Sequence, residues 1–325
     1  MYSLGEAMKK LGESEKYTKK YIIPIIISII FGGLAIIYTN IYLNNMVKQS
    51  LVEIAKMGAK TIEHKIEWNL DRLELLSESE IIFSDKYSIK EKINYLSQSD
   101  KSNACIDLAY ITADGMLYGV SGREFDVSRE KFFLEAISGK QTVETVDLPY
   151  YKDYPAIVFT SPVIYDGSIK SFVSLIYSTE VLCELVEDIT FGNEGYGYII
   201  DSKGFTLAHN DRSLVINKVN SINDAINDTS LKKLADLELR MLRGETGSGS
   251  YFYKGQNKIM GFSKVNNVSW SFAATSPTTD AFSAASPIIM VVTLAVCAFS
   301  LCLILINFYF VALNKKSKRE EKTLK

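Results

Sequence analysis

The sequence predicts an α+β protein in which two tandem modules with antiparallel sheets follow a long N-terminal helix and are flanked by two transmembrane helices. Three observations lead to this prediction. Two long apolar stretches without charge lie near the two ends of the 325-residue chain. A helical spacing of apolar residues follows the first stretch, and an order of hairpin, helix and hairpin then occurs twice.

Residues 21–45 and 281–313 form the two apolar stretches, and neither contains a charged side chain. A helix needs roughly 20 apolar residues to cross a hydrocarbon core of about 30 Å, so each stretch is long enough. A cleaved signal peptide is the alternative for the first stretch, but its apolar core would span only about 7–15 residues. A buried core helix is the alternative for the second, but apolar residues surround this helix on all sides. Two transmembrane helices are therefore predicted.

The charges beside the two spans predict their orientation. Residues 1–20 and 314–325 are both rich in lysine and arginine, and basic segments stay on the cytoplasmic side. Both termini are therefore expected in the cytoplasm, and residues 46–280 are expected on the other side of the cell membrane. Because the formal net charge of the whole chain is −2, the exported part is mildly acidic, which argues against nucleic acid as a partner.

Residues 46–80 are predicted to form a long helix that continues from the first span. Its apolar stripe has a spacing of three and four, and the residues of the stripe are Val47, Leu51, Ile54, Gly58, Ile62, Ile66, Leu70 and Leu73. Two explanations fit this stripe: it packs on the protein's own sheets, or it pairs with a second copy of the chain. We expect both, on different turns, and hence a homodimer.

Residues 81–190 are predicted to form the first module, distal to the membrane. A short helical pattern at Ile89 comes first, and hairpins are then centred on Asp114-Gly115 and Asp166-Gly167, because Asp-Gly between alternating apolar residues is a strong hairpin signal. Between the hairpins, a helix that carries Phe132 and Phe133 is expected to begin at an N-cap of Asp126 or Ser128. Gly139 is expected to end it.

Residues 191–280 repeat the arrangement as a second module, proximal to the membrane. A hairpin is predicted around Asp201-Ser202-Lys203-Gly204, followed by a helix over Leu231–Leu242 that Thr229 or Ser230 caps and Gly244 ends. Three further strands are expected, with turns at Gly255 and at Asn266-Asn267. These strands complete a second antiparallel sheet.

The sequence contains no recognisable catalytic or metal-binding motif, so no catalytic residue, metal ligand or cofactor is predicted. There is no G-x-S-x-G, H-E-x-x-H, C-x-x-C or phosphate-binding glycine loop. The two histidines, His64 and His209, are interpreted as a helix-surface residue and a strand-end residue. An extracytoplasmic enzyme of unknown reaction remains an alternative, as does a structural or adhesive membrane protein without a ligand.

The four cysteines do not form a disulfide framework. Cys297 and Cys302 lie within the second span, which leaves Cys105 and Cys183 outside the membrane. A bridge between these two is one interpretation, and two buried thiols is the one we prefer, because a large core does not need a covalent link.

Several segments, in this order, resemble the double Cache sensor domain of bacterial chemoreceptors, sensor histidine kinases and diguanylate cyclases. They are FDVSREKFFLEAISGK from Phe125, the hairpin SPVIYDGSIKSFVSLIYSTEVLCELV, FGNEGYGYIIDSKGFTLAHND, and VSWSFAATSP before the second span. The resemblance covers roughly residues 20–312 and implies two PAS-like Cache modules. It also implies that the distal module binds a small molecule and that the proximal module relays the signal.

The resemblance places a ligand pocket between the distal sheet and the helix and loops over it. Aromatic side chains with a few polar groups are typical of small-molecule sites. The candidate ligand-binding residues are Tyr118, Arg129, Phe132, Phe133, Tyr150, Tyr151, Asp153 and Tyr154. For the tyrosine-rich loop, a solvent-exposed hairpin loop is the alternative.

The charged contacts of the family members that bind amino acids are not all matched. Those members use an arginine just before an aromatic pair and an aspartate on a later strand. Here Glu130 stands at the arginine position, Arg129 lies one residue earlier, and Ile176 stands at the aspartate position. A shift of one residue on a helix turns a side chain by about 100°, so Arg129 is expected either to meet an anionic ligand or to remain in solvent.

Receptors of the resembled family continue into a cytoplasmic output domain. The basic tail at residues 314–325 is too short for such a domain and looks like the start of a helical linker. We therefore expect either a sensor that acts through a cytoplasmic signalling partner or a fragment of a longer receptor.

Overall fold

The computed structural model describes residues 4–99, 105–147, 155–283 and 286–323. Helix α1 runs continuously over Leu4–Ser77, and the last helix, α10, runs over Ser286–Thr323. The chain divides into two compact units: residues 1–47 together with 282–325, and residues 48–281.

The unit formed by the two ends contains both candidate transmembrane helices. Two helical segments, Ile26–Ser77 and Pro287–Phe310, are long and apolar enough to cross a membrane. Within this unit Ser28 Oγ lies 3.3 Å from Ser300 Oγ, and Gly32 sits close against Val296. Small and hydroxyl-bearing residues at a helix contact let two backbones approach, which is how helices associate in lipid.

The first sheet has six antiparallel strands in the order β3-β2-β1-β6-β5-β4. The elements of this part are α2 (Glu80–Phe83), α3 (Ile89–Ser99), β1 (Asp107–Thr112), β2 (Met116–Gly119), β3 (Glu124–Asp126), α4 (Lys131–Ala136), β4 (Thr142–Val146), β5 (Ala156–Tyr165), β6 (Ser168–Ser178) and α5 (Glu180–Glu187). Both predicted hairpins are present. Asp166 and Gly167 have φ values of 52° and 68°, the left-handed pair that closes a two-residue hairpin.

The second sheet has five antiparallel strands in the order β8-β7-β11-β10-β9. Its elements are β7 (Tyr196–Ile200), β8 (Thr206–His209), α6 (Ser213–Ile216), α7 (Ser221–Asp224), a 3₁₀ turn (Thr229–Leu231), α8 (Lys232–Leu242), β9 (Gly247–Tyr253), β10 (Gln256–Val265), β11 (Trp270–Pro277) and α9 (Thr278–Ala281). The α+β class with two antiparallel sheets beside a long N-terminal helix is thus confirmed.

Helix α1 packs against one face of each sheet, which we call the back face. In the first sheet, the Tyr177 hydroxyl donates to Asn69 Oδ1 of α1 at 3.1 Å. In the second sheet, buried Phe272 fills the space beside Gly58 of α1. Each sheet therefore rests on its own segment of one continuous helix.

The opposite faces, which we call the front faces, are covered by short helices. The cluster on the front of the first sheet includes Phe132, Phe133 and Ala136 of α4 packed on Ile111 and Phe172. On the second sheet, Leu234, Leu237 and Met241 of α8 pack on strand residues that include Phe262 and Ala273. Each module thus encloses one core between its sheet and a helix.

Two predicted helix caps were wrong. Helix α4 begins at Lys131 with Glu130 in the N-cap position, while Asp126 accepts a hydrogen bond from the Ser128 N–H in the preceding turn. Before α8, the Asp228 carboxylate accepts from the Ser230 N–H and begins a 3₁₀ turn. In both places the carboxylate closes a local turn of two residues, so the helix starts later than the pattern indicated.

Candidate functional site

The centre of the front face of the first sheet is built from small side chains. Strand register aligns one residue from each of five neighbouring strands in a row, and these are Gly119, Ala109, Ser174, Thr160 and Thr142. The Thr160 and Ser174 hydroxyls are buried and lie 2.8 Å apart. Because the side chains of this row are small, α4 lies close above it. Thr142 Oγ1 donates to the Phe132 carbonyl at 3.1 Å.

Phe132 and Phe133 are brought together on this face, as the sequence predicted, and both are fully buried. The ring of Phe133 meets Phe172 edge to face, with ring centroids 5.1 Å apart. This geometry is the favourable one for an aromatic pair, so the two phenylalanines hold α4 on the sheet. Both phenylalanines therefore belong to the core of the first module.

Arg129 lies in the exposed turn just before α4, and its neighbour Lys131 is held by carboxylates. Lys131 forms an ion pair with Glu144 of β4 and a second, at 3.4 Å, with Glu135. The hydrogen bond to Glu144 is the main cause that raises the pKa of Lys131. Both side chains are exposed to solvent, and Lys131 is the one that forms ion pairs with the neighbouring carboxylates.

Tyr118 does not share the front face with Phe132 and Phe133, and its role as a ligand contact stays a prediction from the sequence. Its register partner is Tyr110, and successive side chains of a strand point to opposite faces. Lys92 of α3 donates to the Tyr110 hydroxyl at 3.2 Å, so this pair of tyrosines lies on the side where α3 packs. The strand that contains Tyr118 was predictable from the local sequence, but its face relative to α4 depends on strand pairing.

The remaining predicted ligand contacts are Tyr150, Tyr151, Asp153 and Tyr154. They fall within residues 148–154, which lie outside the described residues. These four therefore remain predictions from the sequence.

Asp107 is a front-face residue that the sequence analysis missed. Its register partner is Ile176, the position at which the resemblance led us to look for an aspartate. The side chain is 4% exposed; Oδ1 accepts from the N–H groups of Leu108 and Ser121, both at 3.0 Å, and Oδ2 accepts from the Ser121 hydroxyl. A carboxylate is thus fixed across from Ile176, on a neighbouring strand.

The back face of the first sheet encloses a small cavity against α1. Its lining includes Ile66 and Asn69 of α1, Phe159 and Tyr177 of the first sheet, and Trp270 of β11. Trp270 belongs to the second sheet, so the cavity joins α1, the first sheet and the second sheet at one point. Tyr177 of the first sheet and Trp270 of the second therefore line the same cavity.

The histidines and cysteines of the described residues do not form a metal site. Over residues 4–99, 105–147, 155–283 and 286–323, no group of three histidine, cysteine, aspartate or glutamate side chains is placed to hold a metal ion. His64 is exposed on α1, and His209 is buried at the end of β8. Cys105 and Cys183 are not joined by a disulfide.

Comparison with known proteins agrees with this architecture. The extracellular domain of mmHK1S-Z3, which is assigned as a histidine kinase, matches with a TM-score of 0.61 and 14% identity over 74% of this chain and 97% of that one. The sensory domain of the Campylobacter jejuni chemoreceptor Tlp3 with isoleucine bound matches with 0.55 and 13% identity over 75% and 98%. The ligand-binding domain of the Pseudomonas aeruginosa PAO1 amino acid chemoreceptor PctB with L-Gln matches with 0.57 and 17% identity over 73% and 93%.

At these identities the structural matches establish the fold, and their own descriptions are those of sensor and ligand-binding domains. No curated protein matches the sequence. The family model dCache_1, described as Cache domain, matches residues 42–285, which is most of the chain. The chain therefore belongs to the Cache domain family.

Proposed function

We propose that this protein is a membrane-bound extracytoplasmic sensor that binds a small organic molecule carrying an amine on the front face of its first module. Membership of the Cache family supports the sensor role, since its structural neighbours are sensory domains with small ligands. The observation that carries the ligand class is Asp107. Its carboxylate is nearly enclosed on an otherwise small and apolar sheet face.

The chemistry of Asp107 suits an ammonium group. Two carboxylate oxygens offer about four lone-pair positions, and three are used by Leu108 and Ser121. One position is left for a ligand, and a charged donor there gives the stronger kind of hydrogen bond. The ligands of the two chemoreceptor neighbours, isoleucine and L-Gln, both carry an amine. Arg129, at the start of α4, is proposed to meet an anionic group of the ligand.

The proposed signal is a shift in population between two packings of the ectodomain. Ligand on the front face would alter how the first sheet sits on α1, through Tyr177 and Asn69. The second module shares α1 and contributes Trp270 to the same cavity, which supports a relay through it. From β11 the chain continues through α9 to α10, the second candidate transmembrane helix.

The remaining features are proposed from the sequence and from the apolar helices. Both termini are cytoplasmic, residues 46–280 are extracytoplasmic, and the second span passes the signal to a cytoplasmic partner or output domain. The protein acts as a homodimer, through the exposed face of α1.

The ligand class is tested by thermal shift of the full chain in detergent, with free amino acids and simple primary amines as probes. At least one probe is expected to raise the melting temperature, because a ligand that binds only the folded state stabilises it. Asp107→Asn should weaken the binding of that probe by roughly ten- to a hundredfold, since a hydrogen bond to a charged group contributes about 1.5–3 kcal/mol.

Ser121→Ala is the matched control. It removes the hydroxyl that donates to Asp107 but keeps the carboxylate, so binding of the probe should persist. Absence of stabilisation by every amine would contradict the ligand class. Equal affinity of Asp107→Asn and wild type would move the site away from Asp107.

A further inference from the structure

A second cluster of polar side chains lies at one corner of the front face of the second sheet. Here β7 and β10 begin and β8 and β9 end, which places Tyr196, Lys258, His209 and Tyr253 together. We call these four residues the Lys258 corner. They lie on the front face of the second sheet, which α8 covers. Asp107 likewise lies on the front face of the first sheet.

Lys258 is a buried cation that forms no ion pair with a carboxylate of the described residues. The side chain is 7% exposed, its Nζ lies 3.0 Å from the Tyr196 hydroxyl, and it approaches the Tyr196 and Tyr253 rings to 4.8 and 5.7 Å from their centroids. Among the described residues no carboxylate forms an ion pair with it, and burial lowers its pKa. Exposed Lys254 adds positive charge nearby and exposed Glu194 adds negative charge. An unpaired buried ammonium is costly, and a bound anion would relieve that cost.

His209 and Tyr196 add hydrogen-bond donors to the corner. The Asp211 N–H donates to His209 Nδ1 at 2.8 Å, so a neutral imidazole carries its hydrogen on Nε2. Burial lowers the pKa of His209 to about 4, which keeps the ring neutral at pH 7. The Tyr196 oxygen accepts from Lys258, and its own hydrogen is therefore available to a further acceptor. The polar hydrogens of this corner thus suit an acceptor rather than a donor.

Glu238 of α8 lies deeper on the same face, and its carboxyl group does not repel an anion bound at the Lys258 corner. It is 3% exposed; Oε1 accepts from the Tyr198 hydroxyl at 3.3 Å, and Oε2 has no hydrogen-bond partner among the described residues. Burial raises its pKa to about 8, although Tyr198 and Ser221 act in the other direction, so the carboxyl is mostly protonated at pH 7. Tyr198 connects Glu238 with the Lys258 corner, because the centroid of its ring lies 5.9 Å from that of the His209 ring.

We propose that the second module holds its own ligand site, in which Lys258, Tyr196 and His209 bind the carboxylate of a small organic acid. Lys258 supplies the charge, and Tyr196 and His209 supply directional donors. The rings of Tyr196 and Tyr253 flank the ammonium and exclude water. This site takes the carboxylate of its ligand, whereas the site proposed around Asp107 takes an amine, so the two sites differ in the charged group that they recognise.

The test is thermal shift of the full chain in detergent with acetate and propionate, compared with acetamide and with sodium chloride at equal ionic strength. Both acids should raise the melting temperature in a saturable way, and acetamide should not, because it lacks the charge. Lys258→Met should abolish the shift and Lys233→Gln, at an exposed lysine of α8, should leave it unchanged. Replacing a buried unpaired charge by an apolar side chain is tolerated, so the Met variant should fold.

Tyr196→Phe provides a second variant that keeps the ring and removes one donor. It should weaken the binding of acetate by roughly tenfold, as expected for loss of one hydrogen bond to a charged group. Asp107→Asn should leave the acetate shift intact, which separates this site from the first module. No stabilisation by either acid, or an equal shift in Lys258→Met, would overturn the proposal.

Discussion

At the scale of single residues, the most unusual side chains are two buried titratable groups of the second module. Glu238 has its pKa raised to about 8, and His209 has its pKa lowered to about 4, in both cases chiefly by burial. Each is therefore neutral near pH 7 inside the fold. In the unfolded chain at pH 7, the glutamate is charged and the histidine is mostly neutral.

The pH dependence of stability follows from these two shifts. Because the folded pKa of Glu238 is above its unfolded value, its stabilising effect is complete below about pH 4.5 and is lost as the pH rises towards 8. The folded pKa of His209 is below its unfolded value, so its effect is complete above about pH 6.5 and is lost as the pH falls towards 4. The two effects oppose each other below pH 6.5, and Glu238 acts alone above it.

Glu238→Gln should remove the loss of stability between pH 6.5 and 8. In wild type, linkage through this residue predicts a fall of roughly 1–2 kcal/mol in the free energy of unfolding over that interval. Glutamine keeps an acceptor for Tyr198 and does not titrate. Urea unfolding of the full chain in detergent at several pH values measures the difference, and parallel curves for the two proteins would contradict it.

In the first module, the positions of side chains within one helix were predictable from the sequence, whereas the positions that depend on strand pairing were not. Phe132 and Phe133 follow from a single helical pattern and do lie together. The face on which Tyr118 lies was not predictable, because a strand's two faces can be told apart only when its partner is known. Asp107 was missed for a related reason: its position across from Ile176 depends on the pairing of β1 with β6.

At the scale of elements, the fold depends on the close approach of α1 to the second sheet. A Cβ added to Gly58 would lie 2.6 Å from Cε1 of Phe272, and one added to Gly261 of β10 would collide with the backbone of α1 at Leu51 and Val52. Both glycines let helix and sheet touch without intervening side chains. This contact fixes the position of the second module along α1.

Gly58→Ala should therefore destabilise the protein although alanine favours helices. The extra methyl must displace a fully buried ring, and overpacking of this kind costs about 1–3 kcal/mol. Gly33→Ala, in the same helix with nothing within 4 Å of the added Cβ, is the control and should not lower the melting temperature. If both variants melt like wild type, the close packing of Phe272 on α1 is wrong.

The elements themselves were largely predictable, with the short edge strands as the exception. The hairpins at Asp114-Gly115 and Asp166-Gly167 carry turn residues that need little context, and both are confirmed. Strands β3 and β4 were missed. The first has only three residues, and the second alternates weakly and lies at the sheet edge. Such strands are specified by their neighbours more than by their own composition.

At the scale of the whole molecule, the face of α1 opposite the sheets carries an exposed stripe. Met57, His64, Trp68 and Leu75 lie within about 40° of one line on the helix, and the Trp68 side chain is 52% exposed. Successive members are four or seven residues apart, the spacing at which two helices meet along a seam. The buried stripe predicted from the sequence packs on the sheets, so this second stripe supports the proposed homodimer.

Trp68→Ala should weaken self-association of the full chain by at least about fivefold, because an aromatic side chain at the centre of an interface contributes more than about 1 kcal/mol. Lys56→Ala is the control: this exposed residue lies about 100° around the helix from Met57 and should leave association unchanged. Sedimentation equilibrium in density-matched detergent measures both dissociation constants. Since Trp68 does not contribute to the buried core, the variant should keep the wild-type melting temperature of its monomer. A Trp68→Ala protein that associates as tightly as wild type would show that the copies meet through another surface.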